Sequence, residues 1–390
     1  MNPIAIYTLT SELHDEAAVA AVTHSFLGSL PFDFDLKGAD YGDYGHAPLN
    51  LIYVRTGGTE AIFLKLLPLL RQKSDRPIFL LTSGKSNSLA ASMEILSFLQ
   101  QQQIDGEIIH GSPSYIGRRV EMLLKSEQAR HQLNGKRLGV IGKPSDWLIS
   151  SQVEPTAILQ KLGIELIDID IKELLDETTN VRHEDTQTGA EHIYDALEKI
   201  VDRYQLQGFT LRCFDLLSAV HNTGCLALAR INAEDKVAGC EGDVPALLSM
   251  AVCKQLVGVS GFQANPAHID PDTGEMLFAH CTIPFNMVER YEQDTHFESG
   301  IGIGIRGFMK PGPVTLFKLS PDLSRHYIAE GELLRNQSKP DLCRTQQVIR
   351  LQQPEQVGYF LTRPIGNHHI ILPGHQGELL TTFLSQCKLL

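Results

Sequence analysis

Three polar side chains of the kinds used in metal and acid–base sites stand at the ends of apolar segments between Val237 and Pro284. Glu241 follows a short apolar segment, Asn265 ends a strand-like segment, and His280 ends another. Side chains at the ends of buried elements are brought together by folding, although they lie far apart in sequence. Carboxylate, amide and imidazole groups suit a metal ion or proton transfer. The pattern therefore predicts a metal or acid–base site.

Capping and turn residues mark the elements that position these groups. Asp243 is placed to cap a helix and Pro245 lies in the first turn of that helix, where its missing N–H costs nothing. The helix, Val244 to about Val257, is almost wholly apolar, which predicts that it is buried. A turn, Pro271-Asp272-Thr273-Gly274, leads into a strand, Glu275–Ala279, that delivers His280.

A late segment, Gly366-Asn367-His368-His369, adds two imidazoles. Adjacent residues on a strand point to opposite faces, so only one of the two histidines enters a given site. The residues alone leave other interpretations open. In the simplest alternative, one histidine of the pair is packed in the core and the other is exposed. Glu241 taken alone suits an ion pair, and His280 taken alone suits a buried core position.

The composition limits the class of protein. The chain has 390 residues, 43% of them hydrophobic, which is enough for two or three domains. A net charge of −12 without blocks of like charge argues against nucleic acid or an anionic membrane surface as a partner. Apolar runs are too short for a transmembrane helix, and the first residues lack the features of a signal peptide. The scattered cysteines, which include no CxxC, favour a reduced cytoplasmic protein.

Hydrophobic periodicity predicts an α/β fold of three domains. Strands alternate with helices over residues 1–135 and again over 136–294, which predicts two successive doubly wound parallel-sheet domains. Residues 295–390 are richer in closely spaced strands and predict an antiparallel β-barrel-like domain. We assign Glu241 and His280 to the second α/β domain. The predicted strands include Gly208–Leu217, Cys225–Ile231 and Tyr359–Arg363, and an exposed loop is predicted over Asp176–Thr188.

Two glycine-containing segments imitate nucleotide-binding motifs. The segment TSGKSNS ends like a phosphate-binding loop, but Phe79 stands where that motif needs glycine. The segment Gly302–Gly307 satisfies GxGxxG, but the residues after it, FMKPGP, do not begin a helix. Neither segment predicts a nucleotide site. The only tryptophan, Trp147, lies on a loop and suits either a packed position or the lining of a cleft.

Taken together, four motifs resemble the L-fucose isomerase/L-arabinose isomerase superfamily in order and spacing. They are Cys240-Glu241-Gly242-Asp243 before a buried helix, Asn265 after the next strand, Ala279-His280-Cys281, and Gly366-Asn367-His368-His369. The order of two α/β domains and a β-domain is also similar. The resemblance implies a ketol isomerase that acts on a pentose, a deoxyhexose or a derivative.

The resemblance also implies a divalent metal, usually Mn²⁺, between the second and third domains. It places Glu241, Asn265, His280 and one of the late histidines, preferably His369, at the ligand positions. A carboxylate is expected where Asn265 stands, and this is a departure from the family. The sites implied for substrate contact are His368, Asn367 and Arg344. A homo-oligomer, trimeric or hexameric, is implied as well.

Ketol isomerisation moves a proton between adjacent carbons through an enediol, with the metal stabilising the developing negative charge. Asn265 can offer an oxygen to a metal but cannot act as a base. Glu241 is therefore the predicted catalytic base, and Asp243 is a candidate for the second proton-transfer group. Two alternatives remain: a non-catalytic sugar-binding or regulatory relative, and an epimerase or lyase that uses the same metal-stabilised enediol.

Overall fold

The computed structural model describes residues 2–178 and 185–389, and these form two compact units, Met1–Gln128 and Ala129–Leu390. The first unit is a parallel sheet in the order β2-β1-β3-β4-β5 with helices between the strands. Its strands are β1 Ile4–Leu9, β2 Asp35–Gly38, β3 Leu49–Val54, β4 Ile78–Thr82 and β5 Gly106–Ile109. Its helices are α1 Glu16–Leu27, α2 Glu60–Lys73, α3 Ser88–Gln101 and α4 Pro113–Leu133, the last of which continues into the second unit.

The second unit begins with a four-stranded parallel sheet in the order β7-β6-β8-β9. Alternate residues of a strand in such a sheet face opposite sides, and helices cover both sides, so the inner strands β6 and β8 are largely apolar. The strands are β6 Arg137–Ile141, β7 Glu165–Ile169, β8 Gly208–Leu211 and β9 Val237–Cys240. The helices are α5 Pro155–Leu162, α6 Ile171–Thr178, α7 Thr186–Tyr204, α8 Phe214–Val220, α9 Cys225–Ala233 and α10 Val244–Val257.

A closed antiparallel barrel completes the second unit, with the strand order β10-β11-β16-β15-β14-β17. A two-stranded sheet of β12 and β13 accompanies it. The strands are β10 Phe262–Asp270, β11 Glu275–His280, β12 Arg290–Asp294, β13 Gly304–Phe308, β14 Gly312–Leu319, β15 His326–Gln337, β16 Thr345–Leu351 and β17 His369–Pro373. Two 3₁₀ turns, Phe285–Met287 and Pro354–Val357, and the helices α11 Gly358–Thr362 and α12 Gly377–Gln386 lie between and after the strands.

This architecture confirms the predicted fold class: two parallel sheets with helices, followed by an antiparallel β-barrel. The first two barrel strands, β10 and β11, lie before residue 295, where the sequence places the start of the β-domain. The three-domain boundaries stay a prediction. The segment Gly302–Gly307 runs into β13 and is followed by β14 rather than by a helix, as expected.

Several local predictions are wrong. Cys225–Ile231 is helical (α9), and seven of the nine α9 residues are buried. A short apolar run that is buried all round shows no periodicity that separates helix from strand. The strand predicted over Gly208–Leu217 ends at Leu211, and α8 follows. Tyr359–Arg363 forms most of α11 instead of a strand.

The loop predicted over Asp176–Thr188 is helical at both ends, in α6 and α7, and its residues 179–184 lie outside the described residues. Two strands, β2 and β12, were not predicted, because neither has a buried apolar face in its sequence. Among the described helices, none combines the length and the apolar character that crossing a bilayer needs.

Candidate metal centre

The turn between β9 and α10 holds Glu241 in an unusual backbone conformation. Its φ is 62°, in the left-handed region that residues other than glycine seldom adopt, and Gly242 follows with φ 71°. A Cβ on Gly242 would lie 2.7 Å from the carbonyl oxygen of Lys143, so only glycine fits there. The backbone carbonyl of Glu241 accepts a hydrogen bond from Ser145 N at 2.9 Å. The turn is thus fixed against the loop after β6.

The preceding residue ties this turn to the barrel. The side-chain amide of Gln263, on β10, accepts from Cys240 N at 2.9 Å and donates to Cys240 O at 3.2 Å. The amide therefore replaces the backbone partner that the edge strand β9 lacks on that side. Gln263 thereby joins the residue before Glu241 to β10, which pairs with both β11 and β17.

Three buried side chains meet at this point: Glu241, His280 and His368. Oε1 of Glu241 lies 3.6 Å from Nε2 of His280 and 3.5 Å from Nε2 of His368. Their potential ligand atoms all lie within 4.8 Å of one another. The rings of the two histidines meet edge to face, with centroids 5.3 Å apart. In the part of the chain that the structure describes, this is the one cluster of three or more such groups.

Each of the two histidines has its other ring nitrogen engaged. Nδ1 of His280 lies 3.1 Å from Oγ1 of Thr282, and Nδ1 of His368 lies 2.8 Å from Oδ2 of Asp243. A carboxylate acceptor at Nδ1 keeps a hydrogen there and leaves Nε2 as the ring nitrogen of His368 that is directed toward the centre. This arrangement of outer partners is typical of metal-binding histidines.

Asp243 is fully buried and makes three kinds of contact. Its Oδ1 accepts from Ala246 N at 2.8 Å, which caps α10 as predicted, and Lys318 Nζ lies 3.4 Å from Oδ2. Its second oxygen serves His368. Since all of these partners belong to the protein, Asp243 has no surface for a substrate. Asp243 thus lies behind His368, and its predicted role in proton transfer stays a prediction.

Glu241 has a different partner at its second oxygen. The indole N–H of Trp147 donates to Oε2 over 2.7 Å. The Trp147 ring meets Phe214 edge to face at 4.8 Å, and Phe214 meets His296 at 5.6 Å in the same manner. Trp147, Phe214 and His296 thus form a row of ring contacts, and Trp147 joins that row to Glu241. Neither Trp147 nor His296 is among the predicted site residues.

The pKa values of these groups follow from burial and mutual charge. Burial alone would raise the pKa of the Glu241 carboxyl, but the charge of His368 and the contact with His280 hold it well below its usual range. Burial alone would lower the pKa of His368, but Glu241 and Asp243 raise it to about 9. Burial lowers the pKa of His280. The centre is therefore built around an ionised carboxylate, which attracts a cation.

Two buried polar atoms have no hydrogen-bond partner here: Nε2 of His368, within the centre, and Oδ1 of Asn265, on the strand that pairs with the one carrying His280. Asn265 lies on β10 two residues after Gln263, on the same face of the strand, and opposite Ala279 of β11. Buried polar atoms without a partner are rare and indicate an unobserved water or ion. An imidazole nitrogen, a carboxylate oxygen and an amide oxygen are suitable ligands for a divalent cation. The residues therefore fit a metal ion.

His369, the histidine that the sequence analysis preferred as a ligand, lies elsewhere. Its Nε2 is 2.9 Å from the hydroxyl of Tyr359, its Nδ1 is 3.1 Å from the carbonyl of Asn367, and it pairs with Ala264 of β10. Burial, together with the charge of Lys318, lowers the pKa of His369 to about 3. The structure thus brings His368, and not the preferred His369, beside Glu241 and His280, and the choice of metal ligand between the two histidines stays a prediction.

The remaining predicted residues lie at the edge of the centre. Arg344 donates from Nε to the carbonyl of Thr295 at 2.6 Å, and its backbone N–H contacts Cys281 Sγ at 3.4 Å, next to His280. Asn367 is exposed and adjoins His368. Contact of these two residues with a substrate stays a prediction.

Sequence reasoning missed three contributors to the centre: Thr282, Lys318 and the Trp147 N–H. Thr282 lies two residues after His280, which is a spacing that the sequence does show. Lys318 gives no such signal, because a lysine in the middle of a strand is normally exposed, whereas this one is buried.

A fold of parallel α/β sheets and a β-barrel, with a buried Glu–His–His centre, defines a class of protein suited to a divalent metal. No family model matches the chain. It is similar to the sulfoquinovose isomerases of Priestia aryabhattai and Priestia megaterium, each 22% identical over 278 residues, which are 64% of this chain and 62% of those proteins. It is also similar to the sulfoquinovose isomerase of a Clostridium species, 21% identical over 225 residues, which are 52% of this chain and 49% of that protein.

The chain thus spans between about half and three fifths of the length of these curated relatives. The matches confirm the predicted resemblance to the fucose/arabinose isomerase-like superfamily.

Proposed function

We propose that this protein is an aldose–ketose isomerase that requires a divalent metal. The observation that carries the proposal is the buried group of Glu241, His280 and His368, in which Nε2 of His368 faces Glu241 but makes no hydrogen bond. The similarity to proteins named as isomerases supports the reaction class. Mn²⁺ is the metal that we propose, following the superfamily resemblance.

In this proposal Glu241, His280 and His368 hold the cation, and Asn265 contributes its free amide oxygen. A cation bound there would stabilise negative charge that develops on adjacent carbonyl and hydroxyl oxygens of a sugar. Thr282 and Asp243 orient the two imidazole rings so that their Nε2 atoms face the centre. Preorganised groups of this kind need no rearrangement when charge develops, which is where their catalytic benefit lies.

We assign proton transfer between the two carbons to Glu241. It is ionised over the physiological range because the pKa of its carboxyl is held low by His368 and His280 against the effect of burial. In this proposal Asp243 orients His368 instead of transferring a proton, which its burial behind His368 supports. We expect Arg344 and Asn367 at the edge of the centre to contact the sugar.

The substrate that we propose is sulfoquinovose or another deoxyhexose derivative. The relatives are named sulfoquinovose isomerases, which supports this choice. Sulfoquinovose is itself a sulfonated deoxyhexose. We further propose that the protein acts in the cytoplasm as a homo-oligomer, trimeric or hexameric. Sedimentation equilibrium of the purified protein tests the oligomeric state.

The reaction is tested by incubating the purified protein with Mn²⁺ and either sulfoquinovose or a panel of pentoses and deoxyhexoses in D₂O. Isomerisation through an enediol predicts a ketose product and deuterium at the carbon next to the carbonyl, both visible by NMR. The variant Glu241→Gln should lose both signals, whereas Glu94→Gln, on the exposed face of α3, should keep them. Absence of product and of exchange with every sugar overturns the proposal.

A second function is favoured by one residue, Asn265, which cannot replace a carboxylate in proton transfer. On this alternative the protein binds a sugar without converting it. Calorimetry distinguishes the two proposals, because binding without deuterium incorporation indicates a sugar-binding or regulatory protein. An epimeric sugar or a cleaved fragment among the products would instead indicate an epimerase or a lyase.

A further inference from the structure

The carboxylate of Glu241 has different partners at its two oxygens. Oε2 accepts the indole N–H of Trp147 at 2.7 Å. Oε1 is the oxygen that faces the imidazoles, 3.6 Å from Nε2 of His280 and 3.5 Å from Nε2 of His368. A carboxylate that rotates freely would exchange these roles, whereas a hydrogen bond to one oxygen distinguishes them.

The indole is itself held in place. Its ring meets Phe214 edge to face, with centroids 4.8 Å apart and an angle of 81° between the planes. Two residues earlier on the same loop, Ser145 N donates to the backbone carbonyl of Glu241 at 2.9 Å, and Leu148 N donates to Ser145 O at 2.9 Å. The loop that carries the donor is therefore bonded to the residue that carries the acceptor, which limits their relative movement.

Packing alone does not account for a tryptophan at this position. The Trp147 side chain is 51% exposed, so much of its apolar surface gives no stability through burial. Its single polar atom nevertheless contacts a carboxylate that is only 8% exposed. The exposed ring and the directed N–H together indicate a role in the centre.

We propose that Trp147 is a positioning residue whose N–H engages one lone pair of Glu241 Oε2 and so leaves Oε1 as the oxygen that faces a cation shared with His280 and His368. The inference rests on the proposed metal centre. Hydrogen bonds to ligating carboxylates orient the ligand, and their loss lowers metal affinity by about 10- to 100-fold. Without the indole N–H, Glu241 is free to bind through both oxygens or to turn away from the imidazoles.

The experiment uses the fact that Trp147 is the only tryptophan in the chain. Production in a tryptophan auxotroph supplied with β-(3-benzothienyl)alanine replaces the indole N–H by sulfur at this position alone and keeps the ring shape. Free Mn²⁺ is then titrated by electron paramagnetic resonance against the replaced and the unreplaced protein. We expect the replaced protein to bind Mn²⁺ about 10- to 100-fold more weakly, with an unchanged melting temperature of the metal-free protein. Trp147→Phe provides the genetic counterpart.

A spectroscopic readout tests the same contact without a variant. Bound Mn²⁺ is paramagnetic and should quench the fluorescence of Trp147 at saturation, whereas diamagnetic Mg²⁺ should not. Equal Mn²⁺ affinity of the replaced and unreplaced proteins, or fluorescence that Mn²⁺ leaves unchanged, overturns the inference.

The outcomes separate this inference from the proposed function. If the unreplaced protein binds Mn²⁺ but exchanges no proton on any sugar, the isomerase proposal fails and the role of Trp147 is still decided by the two affinities. If the unreplaced protein binds no divalent cation, the inference fails together with the metal dependence.

Discussion

Nδ1 of His368 lies 2.8 Å from Oδ2 of Asp243, while Nε2 of the same ring has no hydrogen-bond partner. The two residues are 125 positions apart in sequence, one on the approach to β17 and the other at the start of α10. The contact gives the ring a defined orientation. It also assigns unequal roles to the two adjacent histidines, and this leads to the first prediction.

His368→Gln should weaken Mn²⁺ binding, whereas His369→Gln should weaken the folded state. His368→Gln removes a proposed ligand, so Mn²⁺ affinity should fall by more than the roughly 10- to 100-fold that an outer partner costs. His369→Gln should leave Mn²⁺ affinity nearly unchanged but lower the unfolding free energy by about 1 to 3 kcal/mol, because it disturbs a buried contact with Tyr359. Calorimetric titration and thermal melts of both variants provide the check. Loss of metal binding in His369→Gln alone would contradict the assignment.

Asp243→Asn should destabilise the protein through Lys318 rather than through the helix cap. Asparagine caps a helix about as well as aspartate, but the buried ammonium of Lys318 loses its counter-charge. Breaking a buried ion pair by removing one partner costs about 3 to 5 kcal/mol.

The double variant Asp243→Asn/Lys318→Met should recover much of that loss, since it removes the unpaired charge. Urea unfolding of the two single variants and the double variant completes the cycle. A double variant no more stable than Asp243→Asn would show that Lys318 does not mediate the effect.

Asn265→Asp should supply the carboxylate that the superfamily resemblance leads one to expect. The new charge lies on the same strand face as Gln263, so it should lower the melting temperature of the metal-free protein by repulsion with Glu241. With Mn²⁺ the added charge should raise affinity by about tenfold, because ligand charge strengthens cation binding. Asn286→Asp, at an exposed position, is the matched control. Equal Mn²⁺ affinities of Asn265→Asp and the wild type would place residue 265 outside the centre.

Removal of metal should lower stability in a reversible manner. A ligand present at 100 times its dissociation constant stabilises the folded state by about 2.7 kcal/mol, which corresponds to a rise of several degrees in melting temperature. Scanning calorimetry after chelation, and again after addition of Mn²⁺, measures this difference. In Glu241→Gln the addition of Mn²⁺ should change nothing, and a full response of that variant would argue for a binding site elsewhere.

The sequence by itself determined the fold class and most of the elements. Alternating strand and helix patterns in the first two thirds of the chain, and closely spaced strands in the last third, correspond to the parallel sheets and the barrel. Asp243 was recognisable as a helix cap, and α10 as a buried helix, because both depend on neighbours within a few residues. The sequence failed where burial on all sides removed periodicity, as in α9, and where edge strands carry no apolar face, as in β12.

The tertiary structure decided which residues form the centre. The choice between His368 and His369 depends on the face that each side chain presents at the start of β17, and a shift of one residue reverses it. The partners of Glu241 come from a loop before α5, from β11 and from the residue before β17, and no local sequence pattern predicts that these segments meet. The charge of Lys318 is buried only because Asp243 compensates it. Types of residue and their order were therefore readable from the chain, whereas long-range packing set their orientation and their partners.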